Sequence, residues 1–169
     1  MARMNGLQRL YRHLWGGERE ARRLFSPQVL SEVEAHVAAS ERQHRGELRV
    51  VIEGGLGWAG ARGVDARARA LAVFGQTGVW DTQENSGVLI YLLMAEHRLE
   101  VLADRGIDAH VPADAWQRLV SDATGHFRAG RGEAGLVQLI DAITALLATH
   151  FPAGDRNNPD ELGNRPLVL

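Results

Sequence analysis

Residues 79–108 read VWDTQENSGVLIYLLMAEHRLEVLADRGID, and the order of apolar and polar segments in this stretch decides the fold. VLIYLLMA is apolar at every position, as suits a central strand covered on both faces. Glu96-His97 supplies a tight turn and RLEVLAD the antiparallel partner, which makes a hairpin. Two clusters of acids and amides enclose the run, WDTQEN before it and ADRGID after the partner strand. In an antiparallel pair the entry of one strand lies beside the exit of the other, so the two clusters are predicted to meet.

Working outward, LRVVIE at 48–53 alternates Leu48, Val50 and Ile52 with Arg49, Val51 and Glu53, which predicts a strand with one well-buried face. GGLGWAGARG at 54–63 reads as a loop, and VDARARALAVF begins a helix. A strand, helix and strand in that order form a right-handed crossover, so the first two strands are parallel. Upstream, Leu7, Leu10, Tyr11, Leu14 and Trp15 recur at helical spacing and predict an amphipathic helix that Gly16 and Gly17 interrupt. Ser26-Pro27 opens a second helix that ends near Gly46. Downstream, Trp116, Leu119, Val120, Ala123 and Phe127 mark one helix, and Leu136, Leu139, Ile140, Ile143 and Leu147 another. FPAGDRNNPDELGNRPLVL, rich in Pro, Asn and Gly, reads as a surface tail. The chain divides into a basic amphipathic helix at 1–25, an α/β domain at 26–151 and a tail at 152–169. Helices before, between and after three strands give a layered α/β fold whose small mixed sheet is covered on both faces.

The composition removes several chemistries. With no cysteine among 169 residues, thiolate nucleophiles, disulfides and Cys-ligated metals are excluded. All 19 basic side chains are arginine, so there is no lysine for Schiff-base chemistry or a Walker-type phosphate loop. A net charge of -2 offers no footprint for nucleic acid. The amino terminus has no secretory h-region, and no apolar run reaches the length of a membrane span, so a cytoplasmic protein without a transmembrane segment is expected. Residues 1–25 carry six arginines against two glutamates, which would suit the surface of an anionic membrane, but a helix folded onto its own domain is the favoured reading of such a stripe.

The predicted topology gathers three polar corners on one sheet edge. Glu41, His44 and Glu47 precede strand one, Asp81, Glu84 and Asn85 precede strand two, and Asp104, Arg105 and Asp108 follow strand three. Oxygen donors of this kind suit calcium or magnesium, and Asp81, Asn85, Asp104 and Asp108 are the candidate ligands. Arg105 and Arg49 are candidate phosphate contacts. Glu41, His44 and Glu47 read as a brace between helix and sheet, with His44 a candidate acid–base group should the rim be catalytic. On the opposite edge, Gly55, Gly57 and Gly60 spell G-x-G-x-x-G after a strand, but no acid closes a second strand at the required spacing, and no nucleotide cofactor is expected. No G-x-S-x-G and no H-E-x-x-H occurs.

In ERQHRGELRVVIE, ARARALAVF, VWDTQENSGVLIYLL, LEVLADRGID and the terminal HFP…ELGNRPLVL, the chain resembles the TPM-domain family, also called the TPM-phosphatase family. It is most similar to short bacterial members without an export signal or membrane helix. The resemblance implies a three-layer α/β/α sandwich. It also implies one of two roles, an acid phosphatase or an accessory protein for membrane complexes, with calcium bound by some members. Exported members open the central strand with Asn-Gly, where this chain has Asn85, Ser86 and Gly87. They follow the next strand with a Gly-x-Gly-x-acid turn, where Asp108 matches the acid and Asp104 replaces a glycine. The aspartate that such members place before the first domain helix is missing from FSPQVLS.

Two functions follow as expectations. The first is a non-catalytic binding or accessory domain with a divalent cation on its rim and a protein partner at a membrane. The second is a metal-dependent phosphomonoester hydrolase, in which the rim aspartates hold the ion and Arg105 or Arg49 steadies phosphate.

Overall fold

The computed structural model describes residues 5–154 and 161–169. It opens with α1 (Gly6–Tyr11), a π-helical segment (Arg12–Gly16) and α2 (Gly17–Leu24). Asn5 starts the helix through a capping box with Gln8, satisfying two otherwise orphaned amides. Gly16 and Gly17 do not interrupt it, contrary to the expectation. The extra residue is absorbed in the π segment, where the Gly17 amide donates to Arg12 O. The glycines serve close approach instead: a Cβ on Gly17 would overlap the carbonyl oxygen of Gly54.

The chain continues through α3 (Pro27–Glu41), β1 (Leu48–Glu53), α4 (Gly57–Ala61), α5 (Ala66–Gln76) and β2 (Val88–Leu93). A 3-10 turn at Met94–Glu96 leads into β3 (Arg98–Ala103), α6 (Arg105–Asp108), α7 (Ala113–Arg128), α8 (Gly132–His150) and β4 (Leu167–Val168). Ser26 caps α3, its hydroxyl accepting from the Val29 amide at 3.3 Å.

The sheet order is β3-β2-β1-β4, with β1 and β2 parallel and β2 and β3 antiparallel. Leu48 pairs with Val88, and Val88 with Ala103, so the starts of β1 and β2 and the end of β3 share one edge as the topology predicted. Two details differ from the sequence reading. The stretch at 54–63 is not all loop, since α4 forms within it. The last residues of the tail are a fourth strand: Leu167 pairs with Val51, and the Leu169 amide donates to Ile52 O at 2.9 Å. LVL is too short to show a period, and its pairing depends on an edge 115 or more residues away. Residues 155–160 of that tail, and residues 1–4, lie outside the described residues.

Three layers result. Leu48, Val50 and Ile52 of β1 and Val88, Ile90 and Leu92 of β2 face α2, α3, α7 and α8 in the larger core. Val51, Leu89, Tyr91 and Leu102 face α5 in a smaller one. β1 is therefore buried on both faces, not one, because α5 and the C-terminal segment cover the side that Arg49 and Glu53 had marked as polar. α8 has 19 residues and a mean hydropathy of 1.3, enough by length and composition to cross a membrane, yet its Leu136, Leu139, Ile140, Ile143 and Leu147 are buried in the larger core. Each such side chain contributes about 1.5–3 kcal/mol by leaving water.

Candidate functional site

The rim is built on backbone pairing at the shared edge. The Val88 amide donates to Glu47 O and the Asp104 amide to Gly87 O, each at 2.8 Å. Asn85 sits in the left-handed region (φ 52°), and its carbonyl accepts from the amides of Gly106 at 2.9 Å and Ile107 at 3.3 Å. A Cβ on Gly106 would press on the carbonyls of Glu84 and Asn85, so this packing needs the glycine that the ADRGID cluster supplies. Arg105 Nε donates to Asn85 Oδ1 at 3.2 Å, which joins the WDTQEN and ADRGID clusters directly.

The other predicted rim residues have separate surroundings. Glu84 receives a two-pronged bond from Arg45 (2.8 and 3.1 Å), which raises the guanidinium pKa further through that hydrogen bond. Glu41 accepts from the Leu48 amide at 3.2 Å, and Glu47 is buried beside β1. Arg49 Nη1 donates to the carbonyls of Leu162 and Gly163 and ties the C-terminal segment to β1. Asp81 is exposed on the turn before β2, and Asp108 lines a groove between α5, β3 and α7 together with Arg67 and Trp116.

His44 is fully buried. Its Nε2 lies 2.8 Å from Ser40 Oγ, its Nδ1 3.0 Å from Gly46 O, and Ser40 Oγ lies 2.6 Å from Thr144 Oγ1 on α8. A carbonyl can only accept, so Nδ1 carries the proton and Nε2 accepts from Ser40. Burial pushes the imidazole pKa down to about 4, against a smaller opposing pull from the Gly46 carbonyl. The ring is neutral at neutral pH and works as a link between α3 and α8.

Asp104 is a buried rim acid with a carboxylate oxygen to spare. Its Oδ1 accepts from the Arg105 amide at 2.7 Å, while its Oδ2 is buried and has no hydrogen-bond partner among the described residues. A cation would satisfy that oxygen. Among the described residues, however, no group of three or more His, Asp or Glu is placed to hold a metal ion. Asp81, Asp104 and Asp108 thus do not form a three-carboxylate cage.

Two polar arrangements were not foreseen. At the end of β1, Glu53 receives two bonds from Arg69 at 2.9 Å and one from Tyr91 Oη at 2.6 Å. Burial and the neighbouring carboxylate push the Tyr91 phenol far up, so it stays protonated. A lone acid and a lone hydroxyl in two apolar strands were the available signal, but the third member comes from α5. The second is the set of contacts by which the N-terminal helix, folded onto the domain as expected, is held over the carboxyl ends of β1 and β2. His13 Nε2 lies 2.8 Å from Glu96 Oε1, Arg9 Nε donates to the same oxygen at 2.7 Å, and Arg12 donates to the carbonyls of Met94 and Ala95. A Cβ on Gly55 or Gly60 would overlap His13. The glycine spacing after β1 accommodates this helix, which occupies the place where a dinucleotide would lie.

An α/β/α sandwich with this hairpin, a polar rim on one edge and a helix across the other defines the class. The TPM domain profile matches residues 20–146, and the chain belongs to that family. Among solved structures, the BA42 protein from the psychrophilic bacterium Bizionia argentinensis is similar at 26% identity, covering 85% of this chain and 94% of its own, with a TM-score of 0.75. The N-terminal domain of a protein from P. gingivalis shares the fold at 20% identity, covering 82% and 92% respectively, with a TM-score of 0.61. No curated protein matches the chain.

Proposed function

We propose that this protein is a non-catalytic accessory domain that docks on a membrane-associated protein complex through its N-terminal helix. One observation carries the reading: Leu7, Tyr11 and Trp15 are 81%, 50% and 58% exposed on a helix whose other side is locked to the domain. Residues four apart lie along one helix face, and the Tyr11 and Trp15 rings are 6.2 Å apart. α4, packed against this helix, adds Trp58 at 65% exposed. Large aromatics left in water are unfavourable for the isolated chain and are the residues that dominate protein interfaces. Six arginines against two glutamates in residues 1–25, within a chain of net charge -2, favour an acidic partner and a peripheral position at the inner membrane.

The test is sedimentation of the purified protein with native membranes of its source, beside protein-free vesicles of phosphatidylglycerol and phosphatidylethanolamine. The reading expects co-sedimentation with native membranes, at least tenfold weaker for Trp15→Ser/Trp58→Ser, and little with vesicles. Equal binding to the vesicles would make lipid the partner, and no binding to either would overturn the reading. Phosphomonoester turnover measured with calcium, magnesium or chelator addresses the hydrolase alternative, which requires activity that chelator and Asp104→Ala both remove.

A further inference from the structure

A cavity of about 330 Å³ opens between α2, the β2–β3 turn and the end of α7, at the carboxyl end of β2. Its wall is apolar, formed by Leu24, Met94, Leu99 and Phe127. Its mouth is cationic: Arg23, Arg98 and Arg128 stand around it against one carboxylate, Glu20. Glu20 is already held by Arg12 at 2.7 Å and by His97 at 3.0 Å, so its charge is offset within the protein. Arg98 pairs with Glu100 at 3.0 Å, whereas Arg23 and Arg128 have no ion-pair partner among the described residues. His97, at the same mouth, takes the left-handed conformation (φ 49°) that closes the turn between β2 and β3.

From this geometry we infer that the cavity binds a small anionic amphiphile, an apolar acyl chain ending in a carboxylate. The volume lies at the small end of the ~300–1,000 Å³ usual for small-molecule sites, which suits a ligand well below the size of a whole phospholipid. The wall gives an apolar tail its driving force but no orientation, since dispersion and burial are non-directional. Orientation comes from the mouth, where guanidinium groups donate paired hydrogen bonds to a carboxylate. The position also follows the rule that open α/β sheets bind ligands outside the carboxyl ends of their parallel strands. The inference does not rest on the docking role proposed for Trp15 and Trp58, which do not line this cavity.

The experiment is calorimetric titration of the full chain with octanoate, octanol and acetate. Octanoate is expected to bind saturably with one site per chain, octanol at least tenfold more weakly, and acetate without measurable heat. Arg23→Gln/Arg128→Gln is expected to weaken octanoate at least tenfold while leaving the melting temperature unchanged, because both side chains are exposed. Thr124→Phe, which places a ring in the cavity, is expected to abolish binding. Absence of saturable octanoate binding overturns the inference, as does equal affinity for octanol or undiminished binding by the double arginine variant.

Discussion

His13 and Glu96, 83 residues apart in the chain, are joined at 2.8 Å with the imidazole wholly buried. The Leu56 amide donates to His13 Nδ1 at 3.2 Å, so that nitrogen accepts and Nε2 is the one that donates to Glu96. One ring therefore pins the N-terminal helix both to the loop after β1 and to the β2–β3 turn. His13→Ala leaves a cavity, a lone Leu56 amide and a carboxylate held by Arg9 alone. A loss of about 2 kcal/mol in urea unfolding is expected, with faster proteolysis within α2. Unchanged proteolysis would mean that the helix is held by something other than this contact.

Gly17 and Gly57 separate packing from backbone freedom. Ala at Gly17 meets the Gly54 carbonyl and the Ala95 amide, neither of which can move without disturbing β1 or the turn. Gly57→Ala meets no atom and is opposed only by its positive φ of 55°. The expected costs are about 3 kcal/mol for Gly17→Ala and about 1–2 kcal/mol for Gly57→Ala. Denaturant midpoints that rank the two the other way would remove the close-approach explanation of the glycine-rich loop.

Acid should weaken the fold through His44. Its folded pKa is depressed from 6.5 to about 4, so below pH 6.5 the unfolded chain takes up a proton that the folded chain refuses. Stability contributed by the neutral ring is whole above that value and is lost as pH falls to the folded pKa, by about 3 kcal/mol in total. Urea midpoints followed across this range test it, with His44→Gln as the comparison. If the variant loses stability with acid as steeply as the parent, His44 is not the group responsible.

Glu53 is buried with Arg69 and Tyr91 as its partners, and the two are expected to differ in worth. Tyr91→Phe removes one of three hydrogen bonds and leaves the charge paired, at a cost of about 1 kcal/mol. Arg69→Met strands a carboxylate in the interior and is expected to cost about 3–5 kcal/mol. Arg69→Met/Glu53→Gln should recover much of that loss in thermal unfolding, since the stranded charge is gone. A double variant no more stable than Arg69→Met alone would show that burial of the charge was not the problem.

How much of this was legible depends on the range of the contacts. The hairpin, the parallel pair and the helices on either side follow from local signals. VLIYLLMA lacks alternation, Glu96-His97 breaks it, and Leu136, Leu139, Ile140, Ile143 and Leu147 keep one helical face. Chain direction then places Asn85 beside Arg105, because a single reversal brings the two strand ends together. The residues lying within those corners were less predictable. Asp81 shares the edge with Asp104 but is exposed where Asp104 is buried, and His44 sits inside the protein, since side-chain direction depends on turns of one or two residues.

The order of helices and strands, the exclusion of thiol and lysine chemistry and the shared polar edge were set by the linear chain, through hydrophobic period, turn residues and composition. Only the tertiary structure decided that a terminal LVL would become a strand, that Glu53 would be answered by Arg69, and that Gly55 and Gly60 make room for His13 instead of a ligand. Those outcomes depend on groups many residues apart meeting at van der Waals distance, and no periodicity within a segment records its distant neighbour. The same is true of the apolar cavity ringed by Arg23, Arg98 and Arg128, whose three charges come from three different elements.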